Sequence, residues 1–415
     1  MKSFDQKLVN LVEELGEEAK VLGSLRGEEK NQGLRMVIEA LESEEEEILE
    51  ANRKDLERAR RDGMRESLVD RLALDARRLA GMKDALKEVI ALKDPVWSSE
   101  KTWTLENGLT LSKMTVPLGV VGIIYESRPN VTVDAFALGF KSGNGVLLRG
   151  SSSALNSNRA LVKAIHKGLK KAGISPKILG FIDDERRELV LEMLHMKGQI
   201  DLIIPRGGKG LIDFVVENAK VPTVETGVGN CHLYVDAEGD LSMAMKILKN
   251  GKIQRPGVCN ALETLLVHEA VAKDFIKELP KELKGVTLRG CEATQALISV
   301  EKATAEDWKE EYLDLVLAVR VVKDLKEAIQ HIDQYGTGHS EAIVTKNYHH
   351  AQEFQRKVDA AAVYVNASTR FTDGGAFGFG GEMGISTQKV HARGPMGLQE
   401  LVTTKYIAQG EGQIR

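Results

Sequence analysis

From about residue 116 onward, short apolar segments alternate with longer segments that carry apolar residues at helical spacing. Strands are predicted at 120–125, 146–149, 177–181 and 200–204, and helices at 131–141, 154–171, 185–196 and 211–219. This order predicts a parallel sheet with helices on both faces. A second series of the same kind runs from about 231 to 366, so two α/β units are expected.

Two further elements precede this alternation. Residues 1 to about 94 carry apolar residues three and four apart, which predicts consecutive helices. Pro95 ends this block, because the residue before a proline disfavours helix. Asn107 and Gly108 then separate the segments 103–105 and 109–111, and Asn-Gly supplies the positive φ values of a tight turn. A separate β-hairpin is therefore expected.

The composition disfavours several classes of protein. A chain of 415 residues with 42% hydrophobic residues can bury a large core in two or three domains. The net charge of -4, with acidic and basic residues interspersed, argues against nucleic-acid and membrane partners. No apolar run reaches the ~18 residues of a membrane span, and the N-terminus lacks the apolar core of a signal peptide. We therefore expect a cytoplasmic protein.

Common nucleotide and metal motifs are absent from the places where such a fold would use them. No G-x-G-x-x-G follows a predicted strand, and Gly210 stands where a phosphate-binding loop needs Ser or Thr. His268 and Glu269 are followed by Ala272 rather than by the second His of a zinc protease. The three cysteines have neither metal-ligand spacing nor a disulfide pattern. A kinase, a zinc protease and a metal site are therefore not expected.

Cys259 is the residue that most strongly suggests chemistry. It follows Pro256 and Gly257 and precedes the apolar run 261–267. We interpret this run as the start of a helix, which would place the thiol at the positive end of the helix dipole and favour the thiolate. The alternative is that Cys259 is a small buried hydrophobic residue.

Several separated blocks resemble one known group of enzymes. These blocks are 117–130, 143–150, 254–260, 336–343 and 378–387. In collinear order they resemble the aldehyde dehydrogenase superfamily over almost the whole chain, and more narrowly the family of gamma-glutamyl phosphate reductases. One such block can arise by chance, but several in the same order rarely do.

The resemblance implies an α/β, aldehyde dehydrogenase-like fold with two parallel-sheet domains and a small β-hairpin oligomerisation element. An NADP-binding domain is expected at 1–104 and 126–231, and a catalytic domain at 232–390. The oligomerisation element would comprise 105–125 and 391–415. A homo-oligomer is therefore expected.

The resemblance also implies a reaction. This is the NADPH-dependent reduction of L-glutamyl 5-phosphate to L-glutamate 5-semialdehyde and phosphate, the second step of proline biosynthesis. Cys259 would form a thioester with the substrate, and a separate glutamate 5-kinase would supply the acyl phosphate. The backbone N–H of Cys259 is one candidate donor to the oxyanion. Ser127 stands where most of the superfamily has a second donor, an Asn side chain, and Asn130 is nearby in the sequence.

Glu225 occupies the place of the glutamate that activates water in hydrolytic members of the superfamily. A phosphate-dependent enzyme has no need of that water, so a catalytic base and an ordinary loop residue both remain open.

Cofactor residues follow from the same resemblance. Arg149 replaces the usual Lys, and Ser152, beside Ser151, replaces a frequent Glu, a combination that suits the 2′-phosphate of NADP. Gly207 and Gly208 match the turn before the helix that binds the pyrophosphate. Arg149 could also be an ordinary surface residue. Glu311 matches the carboxylate that binds the nicotinamide ribose, but it could instead be an ordinary residue that faces solvent.

For the substrate, a bidentate guanidinium suits a carboxylate or a phosphate. Arg370, Arg128 and Arg255 compete for this role, and Asp373 or Glu126 could bind the ammonium group. A hydrolytic aldehyde dehydrogenase that uses Glu225 is the main competing function. The second is a non-catalytic scaffold or the detached reductase half of a fused kinase–reductase.

Overall fold

The computed structural model describes residues 4–415, and these form two compact units. The first unit contains the described residues up to Glu225, together with Gly378–Gly384 and Met396–Arg415. The second contains Thr226–Phe377 and Ile385–Pro395. The chain thus divides close to the boundary near 231 that the resemblance implies. The roles assigned to the individual segments remain predictions.

The first unit begins with the predicted block of helices. Its helices are α1 (Gln6–Leu22), α2 (Gly27–Ser43), α3 (Glu45–Arg61), α4 (Glu66–Leu72), α5 (Ala76–Ala91), α6 (Asn130–Lys141), α7 (Leu155–Lys171), α8 (Glu188–His195) and α9 (Lys209–Asn218). Asp5 caps α1 by accepting hydrogen bonds from the backbone N–H groups of Lys7 and Leu8. Apolar residues at three- and four-residue spacing give the same helix one buried face. No helix within 4–415 is long and apolar enough to cross a membrane.

The first unit contains a parallel sheet of four strands. Its strands are β3 (Val120–Tyr125), β4 (Gly145–Gly150), β5 (Leu179–Phe181) and β6 (Leu202–Arg206). Their order is β5-β4-β3-β6, so the connections reverse direction between β3 and β6. In sheets of this kind, ligands bind at the carboxyl ends of the strands beside such a reversal. Glu126 follows β3 and Gly207 follows β6 at this edge of the sheet.

The predicted hairpin is confirmed, although its turn differs from the expected one. β1 (Ser99–Thr104) and β2 (Thr110–Pro117) pair antiparallel, and β16 (Val402–Gln409) pairs with β2 on the other side. Gly108 has a φ of 85°, but Asn107 does not adopt a positive φ. The N–H of Leu105 donates to the carbonyl of Leu109 at 2.8 Å, so the loop has three residues, 106–108. The expected 105–125 segment divides between this sheet and β3 of the parallel sheet.

The second unit is built on a parallel sheet of seven strands. Its strands are β7 (Cys231–Val235), β8 (Leu262–His268), β9 (Thr287–Gly290), β10 (Glu301–Lys302), β11 (Val316–Val322), β12 (Ser340–Val344) and β13 (Ala362–Val365), and a separate pair is β14 (Ile385–Ser386) with β15 (Gly394–Pro395). Its helices are α10 (Leu241–Ile253), α11 (Glu269–Ile276), α12 (Leu279–Glu282), α13 (Glu292–Gln295), α14 (Leu325–Tyr335) and α15 (Tyr348–Lys357). The order of the sheet is β10-β9-β11-β8-β7-β12-β13. Two α/β units with parallel sheets are therefore confirmed.

The interpretation of Cys259 as a helix-start residue is wrong. The apolar run that follows it is the strand β8, whose residues are buried as far as Val267. A short, continuous apolar run fits a buried strand as well as a helix, and its length of 7 residues favours the strand. The preceding helix, α10, ends at Ile253, so the helix terminus that comes before Cys259 in the chain is a C-terminus. A helix that begins after Cys259 therefore does not explain any activation of this thiol.

Candidate active site

The chemically interesting residues of the second unit collect at the amino ends of its parallel strands. Cys259 precedes β8, and Cys231 is the first residue of β7. His339 directly precedes β12, and Glu311 lies a few residues before β11. Because the strands are all parallel, their amino ends form one edge of the sheet. This edge carries the candidate nucleophile.

Cys259 is partly exposed, whereas Cys231 beside it is fully buried. The Cys231 thiol donates to the carbonyl oxygen of Cys259, with 3.2 Å between Sγ and O. Burial raises the pKa of Cys231 well above its usual value, so this thiol keeps the proton that it donates. The third cysteine, Cys291, accepts from the N–H of Val321 at 3.4 Å. This contact with β11 indicates a structural role for Cys291.

Asn260 connects the nucleophile to the loop that carries Arg370. Its side-chain amide donates to the carbonyl of Thr372 at 2.9 Å. Its own carbonyl accepts from the hydroxyl of Thr369 at 2.7 Å. These two bonds lie on either side of Arg370 in the sequence, so the position of this arginine depends on the residue next to the nucleophile.

Arg370 and Arg255 are brought together in the second unit. The Nε of Arg370 donates to the side-chain oxygen of Gln254 at 3.2 Å. Burial lowers the pKa of Arg370, and the positive charge of Arg255 lowers it further. Two guanidinium groups on adjoining loops can bind a multiply charged anion. Asp373 is exposed, and it accepts from two backbone N–H groups of its own loop.

His339 is a buried member of the same edge. Its Nδ1 lies 2.8 Å from the Ser340 hydroxyl, which itself donates to Thr372. The Nδ1 of His339 therefore carries the proton, and its Nε2 has no hydrogen-bond partner among residues 4–415. Burial lowers the pKa of His339 to about 4, so the ring is neutral at pH 7. Its surroundings fit a structural histidine.

His339 should make the protein sensitive to acid. A histidine with a lower pKa in the folded than in the unfolded chain binds fewer protons when folded, so stability falls as the pH decreases from about 6.5 to about 4. Relative to His339→Gln, we expect the wild type to lose about 3 kcal/mol of unfolding free energy between pH 7 and pH 4. Urea unfolding at both pH values measures this difference. Unfolding free energies that change equally with pH in the wild type and in His339→Gln would contradict a lowered pKa of His339 in the folded protein.

In the first unit, Ser127 and Ser151 lie together after their strands. The N–H of Ser127 donates to the Ser151 hydroxyl at 3.2 Å, and both hydroxyls are close to that of Ser153, at 3.3 and 2.7 Å. Ser127 has a φ of 26°, which is uncommon for a residue other than glycine. Asn130 donates to Asp134 at 2.9 Å, and burial raises the pKa of that carboxyl to about 6. A hydrogen-bonding cluster thus stands at the carboxyl edge of β3 and β4.

Arg149 is buried at the end of β4, with 8% of its surface exposed, so the surface-residue alternative is wrong. Its guanidinium donates to the carbonyls of Gly150 and Glu185, and its Nε has no partner among the described residues. Burial lowers its pKa. A buried guanidinium whose Nε has no partner among the described residues suits an anionic ligand such as a phosphate. Ser152, nearby, is exposed.

Gly207 and Gly208 precede α9 as expected. The N–H of Gly208 donates to the Glu126 carboxylate at 2.8 Å, and a Cβ on Gly207 would lie only 2.5 Å from the same oxygen. This helix start therefore binds an anionic group, here a carboxylate, as helix N-termini generally do. The open interpretation of Glu126 as a ligand for the substrate ammonium finds no support in this contact.

The remaining candidates are dispersed. Arg128 is a partly buried residue of the first unit, and Glu225 is the last residue of the first segment of that unit. Within 4–415, no group of three or more His, Cys, Asp or Glu residues could hold a metal ion. One supporting residue was not predicted: Asp55 is fully buried in α3 and accepts from the N–H and the hydroxyl of Ser157, at 2.8 and 2.6 Å. It holds the start of α7, just after the serine cluster.

The chain matches the model of the aldehyde dehydrogenase family over residues 6–299 and 289–407. It therefore belongs to that family. Gamma-glutamyl phosphate reductase of Alkaliphilus metalliredigens is 59% identical over 412 residues, which cover 98% of this chain and 100% of that protein. The predicted resemblance to this narrower family is confirmed.

Solved structures agree with this placement. The crystal structure of gamma-glutamyl phosphate reductase from Thermotoga maritima has a TM-score of 0.97 and 52% identity, and the match covers 99% of this chain and 100% of that one. The enzyme from Saccharomyces cerevisiae has a TM-score of 0.55 and 28% identity, with 99% of each chain covered. The expected aldehyde dehydrogenase-like fold is confirmed.

Proposed function

We propose that the protein reduces L-glutamyl 5-phosphate to L-glutamate 5-semialdehyde and phosphate with NADPH, the second step of proline biosynthesis. The observation that carries the proposal is the partly exposed Cys259, which follows the arginine-bearing segment 254–255 at the edge of the catalytic sheet. The names of relatives at 54–59% identity support the same substrate. A separate glutamate 5-kinase would supply the acyl phosphate.

In the proposed reaction, the Cys259 thiolate attacks the acyl carbon and expels phosphate, which leaves a thioester. When bound, the reduced nicotinamide supplies a hydride to the thioester carbonyl. The thiohemiacetal formed on Cys259 then collapses to the aldehyde and regenerates the thiolate. One proton from solvent ends on the released phosphate, which balances the reaction. The backbone N–H of Cys259 is the proposed donor to the developing oxyanion, and Ser127 and Asn130 are the proposed second donors.

The first unit is proposed to bind NADPH. Support comes from the reversal in strand order beside β3, from the helix start at Gly208 and from the buried cation Arg149. In this proposal Arg149 binds the 2′-phosphate with the hydroxyls of Ser151 and Ser152 nearby. Gly207 and Gly208 would approach the pyrophosphate, with Glu126 displaced from the helix start.

Arg149→Met should lower the preference for NADPH over NADH by about tenfold or more, because a buried charge-assisted bond to the 2′-phosphate is lost. The kcat/KM values for the two cofactors, measured on each variant, report this ratio. Arg77→Met changes an exposed arginine of the same unit and serves as the control. An unchanged ratio in Arg149→Met would contradict the role.

The substrate carboxylate or phosphate is proposed to bind Arg370 and Arg255, with Arg128 and Asp373 as further candidates. Arg370→Ala should raise the KM for the semialdehyde by about tenfold or more, because a bidentate charged contact is lost. Steady-state kinetics at saturating NADP+ measure this change. Arg356→Ala, which alters an exposed arginine of α15, is the matched control. A KM equal to that of the control would contradict the assignment.

The second unit is proposed as the catalytic domain, and the sheet of β1, β2 and β16 as the subunit contact of a homo-oligomer. Nearly all of β1 is exposed, and β16 is largely exposed. Sedimentation that shows only a monomer would contradict the proposed homo-oligomer.

The assay for the whole proposal runs the reaction in reverse. Semialdehyde, NADP+ and phosphate are supplied, and NADPH formation is followed by its absorbance. Continued NADPH formation over many turnovers that needs all three components is the expected result. Failure to form NADPH with an independently verified semialdehyde would contradict the proposed function.

A further inference from the structure

Gly229 lies directly against the backbone of the candidate nucleophile. A Cβ at this position would be 1.5 Å from the carbonyl oxygen of Cys259 and 2.7 Å from its Cα. No side chain fits that space, so the contact is available only to glycine. The turn that contains Gly229 and the segment that contains Cys259 therefore fix each other's position.

Gly229 is itself held by a carboxylate. Its N–H donates to Oε1 of Glu311, with 2.7 Å between the two atoms. A hydrogen bond to an ionised acceptor is shorter and stronger than a neutral one. Cys231, two residues further on, donates to the same Cys259 carbonyl that Gly229 touches. One short segment thus carries both contacts to the nucleophile, and Glu311 holds its first residue.

Further contacts hold the loop that carries Glu311. Leu313 has a φ of 53°, an unfavourable conformation for a leucine, and its N–H donates to Oε1 of Glu263 at 3.2 Å. Glu263 in turn pairs with Lys252 at 2.5 Å, and both side chains are fully buried. A strained residue persists only where its surroundings enforce it, and such residues concentrate at functional sites.

Tyr312, between Glu311 and Leu313, is fixed as well. Its hydroxyl donates to Asp307 at 2.8 Å, and the carboxylate of Asp307 also binds Arg289 at 2.6 Å. The guanidinium of Arg289 lies 5.5 Å from the centre of the Tyr312 ring. Each residue from 311 to 313 therefore has a separate anchor. This many contacts around one loop residue indicate that the exact position of the Glu311 carboxylate matters.

We propose that Glu311 is a positioning residue for the nucleophile, which acts on Cys259 through Gly229. In the proposed function Glu311 also binds the nicotinamide ribose, and that part of the inference rests on it. Cofactor binding and thiol placement would then both depend on the carboxylate of Glu311.

The test measures the reactivity of Cys259 in the cofactor-free enzyme. Iodoacetamide alkylation is followed from pH 6 to pH 9, and peptide mass spectrometry identifies the modified cysteine. We expect Glu311→Ala to change the alkylation rate of Cys259 by about tenfold. Glu311→Gln, which keeps an oxygen acceptor, should lie between Glu311→Ala and the wild type. Glu310→Ala removes an exposed neighbouring carboxylate and should match the wild type.

Unchanged alkylation rates in both Glu311 variants, at every pH, would overturn the proposal, whether or not the thermal stability falls. NADPH binding, measured by fluorescence on the same proteins, separates the two roles. Altered alkylation with wild-type NADPH affinity would support the positioning role and contradict the ribose role. A wild-type enzyme that binds no NADPH would contradict the proposed function but leave the alkylation result valid.

Discussion

Cys259→Ala is expected to lower kcat by at least about 10⁴-fold in either direction of the proposed reaction. Without the thiolate no thioester can form, and direct hydride transfer to an acyl phosphate lacks the covalent intermediate that divides the reaction into two easier steps. Stopped-flow and steady-state absorbance of NADPH measure this loss. Cys259→Ser should show nearly the same loss, because a serine hydroxyl is a weak nucleophile without a general base.

Cys291→Ala is the matched control for this experiment. Its sulfur contacts Thr294 of α13 at 3.4 Å and accepts from a β11 backbone N–H, so these contacts are not with Cys259. We expect kcat and KM close to those of the wild type. An active Cys259→Ala enzyme, or a Cys291→Ala enzyme with the same loss, would show that the nucleophile is misassigned.

The second large effect is expected when phosphate is omitted from the reverse assay. NADPH formation should then fall by at least about 100-fold, because bound phosphate attacks the thioester from a fixed position while water must do so from solution. Arsenate should restore turnover, since it attacks in the same way and its acyl ester hydrolyses. Steady-state NADPH formation with and without each anion gives the ratio.

This result also decides the role of Glu225. Equal turnover without either anion would contradict the phosphate-dependent mechanism. If that turnover were then lost in Glu225→Gln, the hydrolytic aldehyde dehydrogenase alternative would be the correct one.

Much of the fold could be predicted from the sequence because its signals are local. Continuous apolar runs such as 120–125 are short and lie between helical patterns, which makes them parallel strands in a helix-covered sheet. Gly108 in an Asn-Gly pair marked the hairpin correctly. The prediction of a helix after Cys259 is wrong because a short apolar run, here in a strand of 7 residues, cannot be told from a buried helix segment by periodicity alone.

The candidate site was harder to predict, because its contacts join residues far apart in the chain. Gly229 and Glu311 are separated by 82 residues, and Cys231 and Cys259 by 28. Sequence spacing does not say which strand ends share an edge, so the role of Gly229 and the thiol contact of Cys231 were missed. The pair of Lys252 and Glu263 gave no signal either, since isolated charges in a sequence are normally exposed.

The most direct test of the account is mass spectrometry of the acyl-enzyme. The protein is mixed with semialdehyde and NADP+ without phosphate, quenched in acid and digested. We predict a glutamyl adduct on the peptide that contains Cys259, with about one NADPH formed per site, and rapid loss of the adduct when phosphate is added before the quench. Formation of NADPH with no adduct on Cys259, or with an adduct on Cys231 or Cys291 instead, would contradict the thioester mechanism.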